Sequence, residues 1–457
     1  MADPFLISAL RFLEVGDDLR RQGRFGEADG AYRSVLEIDP DNGAAWLGLG
    51  LTAEGLGDSL AARLAFERAT LLMQDRAEAW LGLASACQAL NDPFAAANAW
   101  LKARMLKPND LRIYNVVWQA LNEIAGQQDG GGYAGAIGRG NSFRSLGRTQ
   151  AALAAYLEAQ KIEPDLPFAY SRAGCLLAKS GDWAGAEAQF ARARELFAWV
   201  ESGIRLDPGF FKDLPVNPHA FDWVQRAEGE GPLAVIGCDK GYFDRYAANL
   251  LASLRHFEGE TVGLHVHLIH PDEDCLAAAR ALRVGISLER PPLSGHSRNF
   301  VNTYYASARF LALPGLLESY ARPLLVMDVD AVALKPLAPL WSVLKGSDMA
   351  IRRLEGAMVD PWNEPQANLV GVCPTPMGLA FARSQARFLA HFVDKKQLFG
   401  FFDQTALYSV LAADPRLGGL KQGVFPGHAY GYPLNPGAGA GHLTYSDSLL
   451  VGEFKTP

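Results

Sequence analysis

Paired cysteines are missing from this chain. Its five cysteines, Cys87, Cys175, Cys238, Cys275 and Cys373, stand far apart, with no two at the spacing of a zinc or redox motif. An odd, scattered set argues against a disulfide framework and fits reduced thiols in a cytoplasm. An excess of positive charge is missing too. The formal net charge is -7, which speaks against a general nucleic-acid binder or a polybasic membrane surface and leaves room only for a local basic cleft. No window reaches the roughly 18 uninterrupted apolar residues of a membrane span. The opening MADPFLISALRFLEVGDDLRR has no basic stretch ahead of an apolar core, so a secretory signal is not expected. With 49% hydrophobic and 20% charged residues, extensive disorder is not expected either. What remains is a soluble, cytoplasmic protein whose 457 residues suggest about two or three domains.

What is present in the first half is a period. Trp46 and Trp80 are 34 residues apart, as are Leu49 and Leu83, and Ala28, Ala62 and Ala96 keep the same step. So do Tyr32, Phe66 and Trp100, and Val35, Ala69 and Ala103. Such a period describes a helix–turn–helix unit in which large residues pack between helices and alanines let helices approach. Segments such as AWLGLGLTAEGLGDSLAARLAFERA resemble the tetratricopeptide repeat, and a second block carries Ala152, Tyr156, Ala159 and Pro164, then Tyr170, Gly174, Ala186, Phe190 and Ala193. Five repeats are expected near 9–42, 43–76, 77–110, 133–166 and 167–200. YNVVWQALNEIAGQQ and the glycine run DGGG, within 111–132, form an incomplete repeat and a hinge. Stacked repeats make a concave surface that binds a peptide or partner protein, or else hold a neighbouring domain or a second copy. The glycines of GAIGRGNSF are not a phosphate loop, because no strand precedes them and Gly140 fills the small-residue slot of its repeat.

Residues 201–231 read as a linker rich in Pro, Gly and charge. From Pro232 the pattern changes type. PLAVIGCD, GLHVHLIHP, ISLERPP and LLVMDVDAVAL read as strands, separated by the helical stretches YFDRYAANLLASLRHF, DEDCLAAARALR and VNTYYASARFLALPGLLESY. This alternation predicts a mainly parallel sheet covered on both faces, with ligands beyond the carboxyl ends of the strands. Asp328 and Asp330 close a central strand there, two residues apart and so on one side of an extended chain. Two hard oxygen ligands suit Mg2+ or Mn2+. An isolated D-x-D is more simply structural, one Asp capping a turn and the other meeting an Arg.

The surrounding segments resemble, over residues 232 to about 450, a GT-A nucleotide-sugar glycosyltransferase of the glycogenin and galactosyltransferase-like group. GCDKGYFDRYAANLLASL resembles that group's first strand and helix, which implies donor binding by Asp239 and Tyr242; YYASARFLALPGLL implies a donor-binding Arg309. LLVMDVDAVALKPLAPLW resembles the metal strand, implying that Asp328 and Asp330 hold the metal, with Asp328 also on the donor side. FFDQTAL implies catalytic or sugar-side roles for Asp403 and Gln404, although Asp403 also suits a helix cap. The group's third metal ligand is a late His, for which His442 in GHLTYSD is the candidate and His428 the reserve. Two departures stand out: QANLVGVCPT displaces the expected glycine by one residue relative to Asn368, and the lysine-rich segment after the late His is missing. The Gly- and Pro-rich tail YGYPLNPGAGAGHLTYSD could fold over the donor as a lid.

The reading is thus an all-α tetratricopeptide solenoid (1–200) followed by an α/β, Rossmann-like GT-A domain (232–457). Its expected activity is metal-dependent transfer of a sugar, UDP-linked by preference, to an acceptor hydroxyl, with the repeats holding a protein or glycan acceptor or a protein partner. Two other readings stay open. One is an inactive scaffold in which the repeats are the working part. The other is a haloacid-dehalogenase-type phosphatase, disfavoured because its aspartates open the domain whereas here residues 232 to 328 come first. His265, His267 and His270 form no expected site, since no carboxylate motif adjoins them in sequence; packing or surface is the simpler reading.

Overall fold

The computed structural model describes residues 4–107, 113, 116, 132–196, 203–215, 219–333, 336–354, 356, 359–398, 400, 402–426 and 430–431. The chain divides into two compact units, Met1–Leu177 with Ala188–Ala198, and Ala178–Glu187 with Trp199–Pro457.

The first unit is a row of helix pairs: α1 (Pro4–Arg21) with α2 (Phe25–Ile38), α3 (Gly43–Gly55) with α4 (Ser59–Leu72), and α5 (Ala77–Ala89) with α6 (Pro93–Leu106). A further pair joins α7 (Gly132–Ser145) with α8 (Thr149–Ile162); α9 (Pro167–Lys179) and α10 (Trp183–Leu196) follow in the chain, their residues divided between the two units. The period has a steric cause. A methyl group added at Gly48 would lie 2.4 Å from the ring of Tyr32, one at Gly82 would lie 2.3 Å from Phe66, and one at Gly140 would lie 2.3 Å from Tyr156. Each fully buried aromatic ring therefore fills space that a glycine leaves. Starts and turns repeat as well. Asn42, Asp58 and Asp92 accept from backbone N–H groups at the starts of α3, α4 and α6, which satisfies donors the helix leaves open. The indole N–H groups of Trp46 and Trp80 donate to the carbonyls of Pro40 and Gln74 at 2.9 and 3.0 Å.

The second unit is built on an eight-stranded sheet in the order β1-β4-β3-β2-β5-β8-β7-β9. Its strands are β1 (Asp222–Gln225), β2 (Leu233–Asp239), β3 (Gly263–Ile269), β4 (Gly285–Glu289), β5 (Leu324–Met327), β7 (Met349–Arg353), β8 (Pro365–Val372) and β9 (Gln422–Val424). A separate two-stranded sheet pairs β6 (Val332–Ala333) with β10 (Tyr430–Gly431). The expected mainly parallel sheet is in fact mixed. β2 runs parallel to β3 and β5, β4 to β3 and β9 to β7, but β1 pairs antiparallel with β4, and β8 with both β5 and β7. Among the described residues the short connection from β7 to β8 holds a 3₁₀ turn, Pro361–Asn363, and a parallel crossover needs a longer excursion. The sheet is covered on both faces. Along β5, Leu324 and Val326 join one core with α14 (Arg298–Leu311), α15 (Leu313–Tyr320) and α17 (Pro376–Asp394), while Leu325 and Met327 join another with α12 (Ala248–Glu258) and α13 (Glu273–Ala281). Strands buried on both sides explain why these segments read as unbroken apolar runs.

Candidate functional site at the strand switch

From β2 the chain adds β3 and then β4 outward in one direction, and then places β5 on the other side of β2. Such a reversal leaves a crevice beyond the carboxyl ends of the two central strands. Asp239 ends β2 and Asp328 directly follows β5, so both acidic residues flank that crevice.

Asp239 accepts from the Tyr242 N–H at 2.9 Å, starting a helix whose next turn, Phe243–Ala247, is π-helical. Tyr242 is thereby carried outward, 53% exposed, with its ring 5.5 Å from that of Tyr246. The strand pleat does not align the aspartate pair, as its spacing suggested. β5 stops at Met327, and a turn in which the Ala331 N–H donates to the Asp328 carbonyl at 3.2 Å carries Asp330. The turn keeps the two carboxylates close enough to repel: burial, with Asp328's charge adding to it, pushes Asp330 up to about 6. Burial likewise raises the Tyr242 hydroxyl, and the charge of Asp330 adds to that shift.

Arg309 lies in the last turn of α14 and is 4% exposed. Gly237 lets it come this close, since a methyl group there would sit 2.9 Å from the Arg309 backbone nitrogen. Its guanidinium donates to Asp328 Oδ1 at 2.6 Å, to Asp403 Oδ2 at 3.1 Å and to the Ala367 carbonyl at 3.3 Å. The arginine assigned by resemblance to the donor thus binds two protein carboxylates, clamping the end of β5 to α18 (Phe402–Ala413). Asp403 stands one residue inside α18 and not at the cap position; its Oδ1 accepts from the Gln404 N–H at 3.0 Å. Burial pushes Asp403 up to about 6 even though Arg309 pulls it down, because Asp328 shares the same cation. Gln404 uses Oε1 to accept from the Ala367 N–H at 3.0 Å, so it positions β8. The next residue on β8, Asn368, receives the Asp328 N–H on its carbonyl at 3.3 Å, and its side-chain Oδ1 is buried with no hydrogen-bond partner among the described residues.

The structure therefore brings Asp239, Tyr242, Arg309, Asp328, Asp330, Asp403 and Gln404 to one strand edge. His442 and its reserve His428 lie outside the described residues, as do most of the expected hinge and the expected lid beyond residue 431. β10 places residues 430–431 beside β6, the strand that follows Asp330. Among the described residues no third carboxylate, imidazole or thiol completes a set with Asp328 and Asp330.

The three histidines of HVHLIHP are packing and surface residues, as expected: His265 and His267 are fully buried on Ser287, and His270 is exposed. His267 also adjoins a carboxylate: Glu289 Oε1 lies 3.3 Å from its Nε2, and His219 joins from before β1. Glu289 sits 22 residues beyond His267 in sequence, and only the pairing of β3 with β4 brings them together.

Tetratricopeptide-repeat family models match residues 13–75 and 137–166, and these segments are tetratricopeptide repeats. A 73-residue stretch is 36% identical to the protein O-mannosyl-transferase TMTC1 of mouse and human, covering 16% of this chain. The match spans about 8% of the length of these curated relatives. Among solved structures, the first TPR of Spaghetti (RPAP3) bound to an HSP90 peptide is similar at 22% identity and TM-score 0.25, covering 26% of this chain and 94% of that one. MamA is similar at 25% identity and TM-score 0.22, covering 41% and 91%. The YrrB TPR protein is similar at 17% identity and TM-score 0.23, covering 43% and 93%. Among the described residues no helix is long and apolar enough to cross a membrane.

Proposed function

We propose that the second unit is a metal-dependent GT-A-type glycosyltransferase that binds a nucleotide diphosphate sugar at the strand switch, and that the repeats select a protein acceptor or partner. One observation carries this reading: Asp239 and Asp328 end the two central strands on either side of the reversal, with Asp330 beside them. The donor set fits a hard divalent cation such as Mn2+ or Mg2+, because two adjacent carboxylate groups that repel each other gain from an ion between them. Asp328, Asp330 and a late histidine would hold it, and when bound it would offset the charge of the departing diphosphate. Tyr242 offers an exposed aromatic face for a base. The buried acceptor of Asn368 suits a sugar hydroxyl, which would satisfy it. Arg309 orients Asp328 and Asp403 through one guanidinium nitrogen, beside the donor-binding role implied by resemblance. The TMTC1 match falls on the repeats and so supports partner binding by that unit, not the chemistry of the sheet.

A second reading rests on the same clamp. A guanidinium that already neutralises Asp328 and Asp403 is what a domain retained as a scaffold would also display. Incubating the full chain with a panel of nucleotide sugars and Mn2+ separates the two. The transferase reading expects metal-dependent hydrolysis of at least one sugar, abolished in Asp330→Asn. Absence of hydrolysis across the panel favours the scaffold.

A further inference from the structure

Away from the strand switch, the same unit contains a second cluster that its proposed chemistry does not use. His219 lies in the connector before β1, His267 in the middle of β3 and Glu289 at the end of β4; one ligand atom from each falls within 4.8 Å of the others. His219 Nε2 is 2.5 Å from Glu289 Oε2, and His267 Nε2 is 3.3 Å from Glu289 Oε1. Both His267 and Glu289 are buried, while His219 remains 18% exposed in its side chain and so opens a way in. Among the described residues His219 Nε2, His267 Nε2 and Glu289 Oε1 are buried and face only one another, so three ligand-type atoms are turned inward to one point with no further partner.

We infer that His219, His267 and Glu289 form a binding site for a single zinc-class divalent cation. Two imidazoles and one carboxylate suit Zn2+, whereas the all-oxygen pair Asp328 and Asp330 suits Mg2+ or Mn2+. Ligand atoms about 2.1 Å from a tetrahedral ion stand about 3.4 Å apart. His267 Nε2 and Glu289 Oε1 already have that separation, and His219 Nε2, now against the other carboxylate oxygen, would draw back from it to admit the ion. The outer contacts fit as well. His267 Nδ1 lies 2.8 Å from Ser287 Oγ, which lies 2.9 Å from His265 Nε2, and His265 Nδ1 lies 2.9 Å from the Tyr320 hydroxyl. With protons pointing from His267 toward Tyr320, the Nδ1–H of His267 donates to Ser287 and its Nε2 lone pair faces the cluster. This is the outer support that metal-bound histidines use. The Tyr304 hydroxyl donates to Glu289 Oε2 at 2.9 Å and fixes the carboxylate. Such an ion would fasten the connector at His219 to β3 and β4, so its role is to staple this edge of the sheet. It is independent of whether the strand switch transfers sugar.

Full-length protein stripped with a chelator and titrated with Zn2+ by calorimetry tests the inference, with Co2+ visible absorption as a second readout. Wild type is expected to bind one Zn2+ at this site, to give Co2+ bands of low-coordinate nitrogen and oxygen ligation, and to gain thermal stability that chelation reverses. His219→Ala, at a partly exposed connector position, should keep native circular dichroism yet weaken Zn2+ binding by more than about a hundredfold. The double variant D328N/D330N should bind Zn2+ like wild type. Wild type that binds no Zn2+, or folded His219→Ala that binds it equally well, overturns the site.

Discussion

Arg309 joins two carboxylates that are more than seventy residues apart in sequence, and its removal separates their two contributions. Leaving Asp403 buried, and Asp328 half-buried, without their cation should destabilise Arg309→Met by about 3 kcal/mol, read from denaturant midpoints at pH 7; a loss under about 1 kcal/mol would contradict the clamp. Acidity follows from the same arrangement. Asp403 is raised from an ordinary 3.8 to about 6, mainly by burial. A carboxyl group raised on folding adds stability that is full below its unfolded value and is lost as pH rises through its folded value. Asp403→Asn should therefore lose less stability than wild type between pH 4 and pH 7, by up to about 3 kcal/mol. Parallel curves for the two proteins over that window would refute the assignment.

At the scale of elements, the repeat helices depend on glycine against aromatic rings. Gly82→Ala would gain about 1 kcal/mol of helix propensity, yet its methyl group would meet the buried ring of Phe66 at 2.3 Å. Overpacking costs about 1–3 kcal/mol, so the variant should melt below wild type; an unchanged or higher melting temperature would show that the ring moves freely. This register was legible in the sequence because a 34-residue period repeats the same neighbours locally. The strand ends holding Asp239 and Asp328 were legible too, since apolar runs closing on an acid mark where a buried strand emerges. The direction of β8 was not, because a strand buried on both faces has the same apolar pattern whichever way it runs. Nor was the cluster of His219, His267 and Glu289, whose members meet only through β3–β4 pairing and a connector with no periodicity. The contacts of Arg309 with Asp328 and Asp403 were not legible either, because its two partners lie in separate elements.

Across the whole molecule the five cysteines are buried and none is in a disulfide. Burial lifts Cys275 to about 11 and Cys238 well above its ordinary value, and a thiol held protonated is a poor nucleophile. Native protein should react slowly with a disulfide reagent and release five equivalents only when unfolded; rapid native labelling would place a thiol at the surface. The two units divide the work in the proposed account: repeats for recognition, sheet edge for the donor. Calorimetric titration of UDP into the full chain, with and without Mn2+, tests the account at its centre. Binding that requires Mn2+ and disappears in Asp330→Asn is the predicted result, and the absence of any metal-dependent UDP binding to the folded wild type would contradict it.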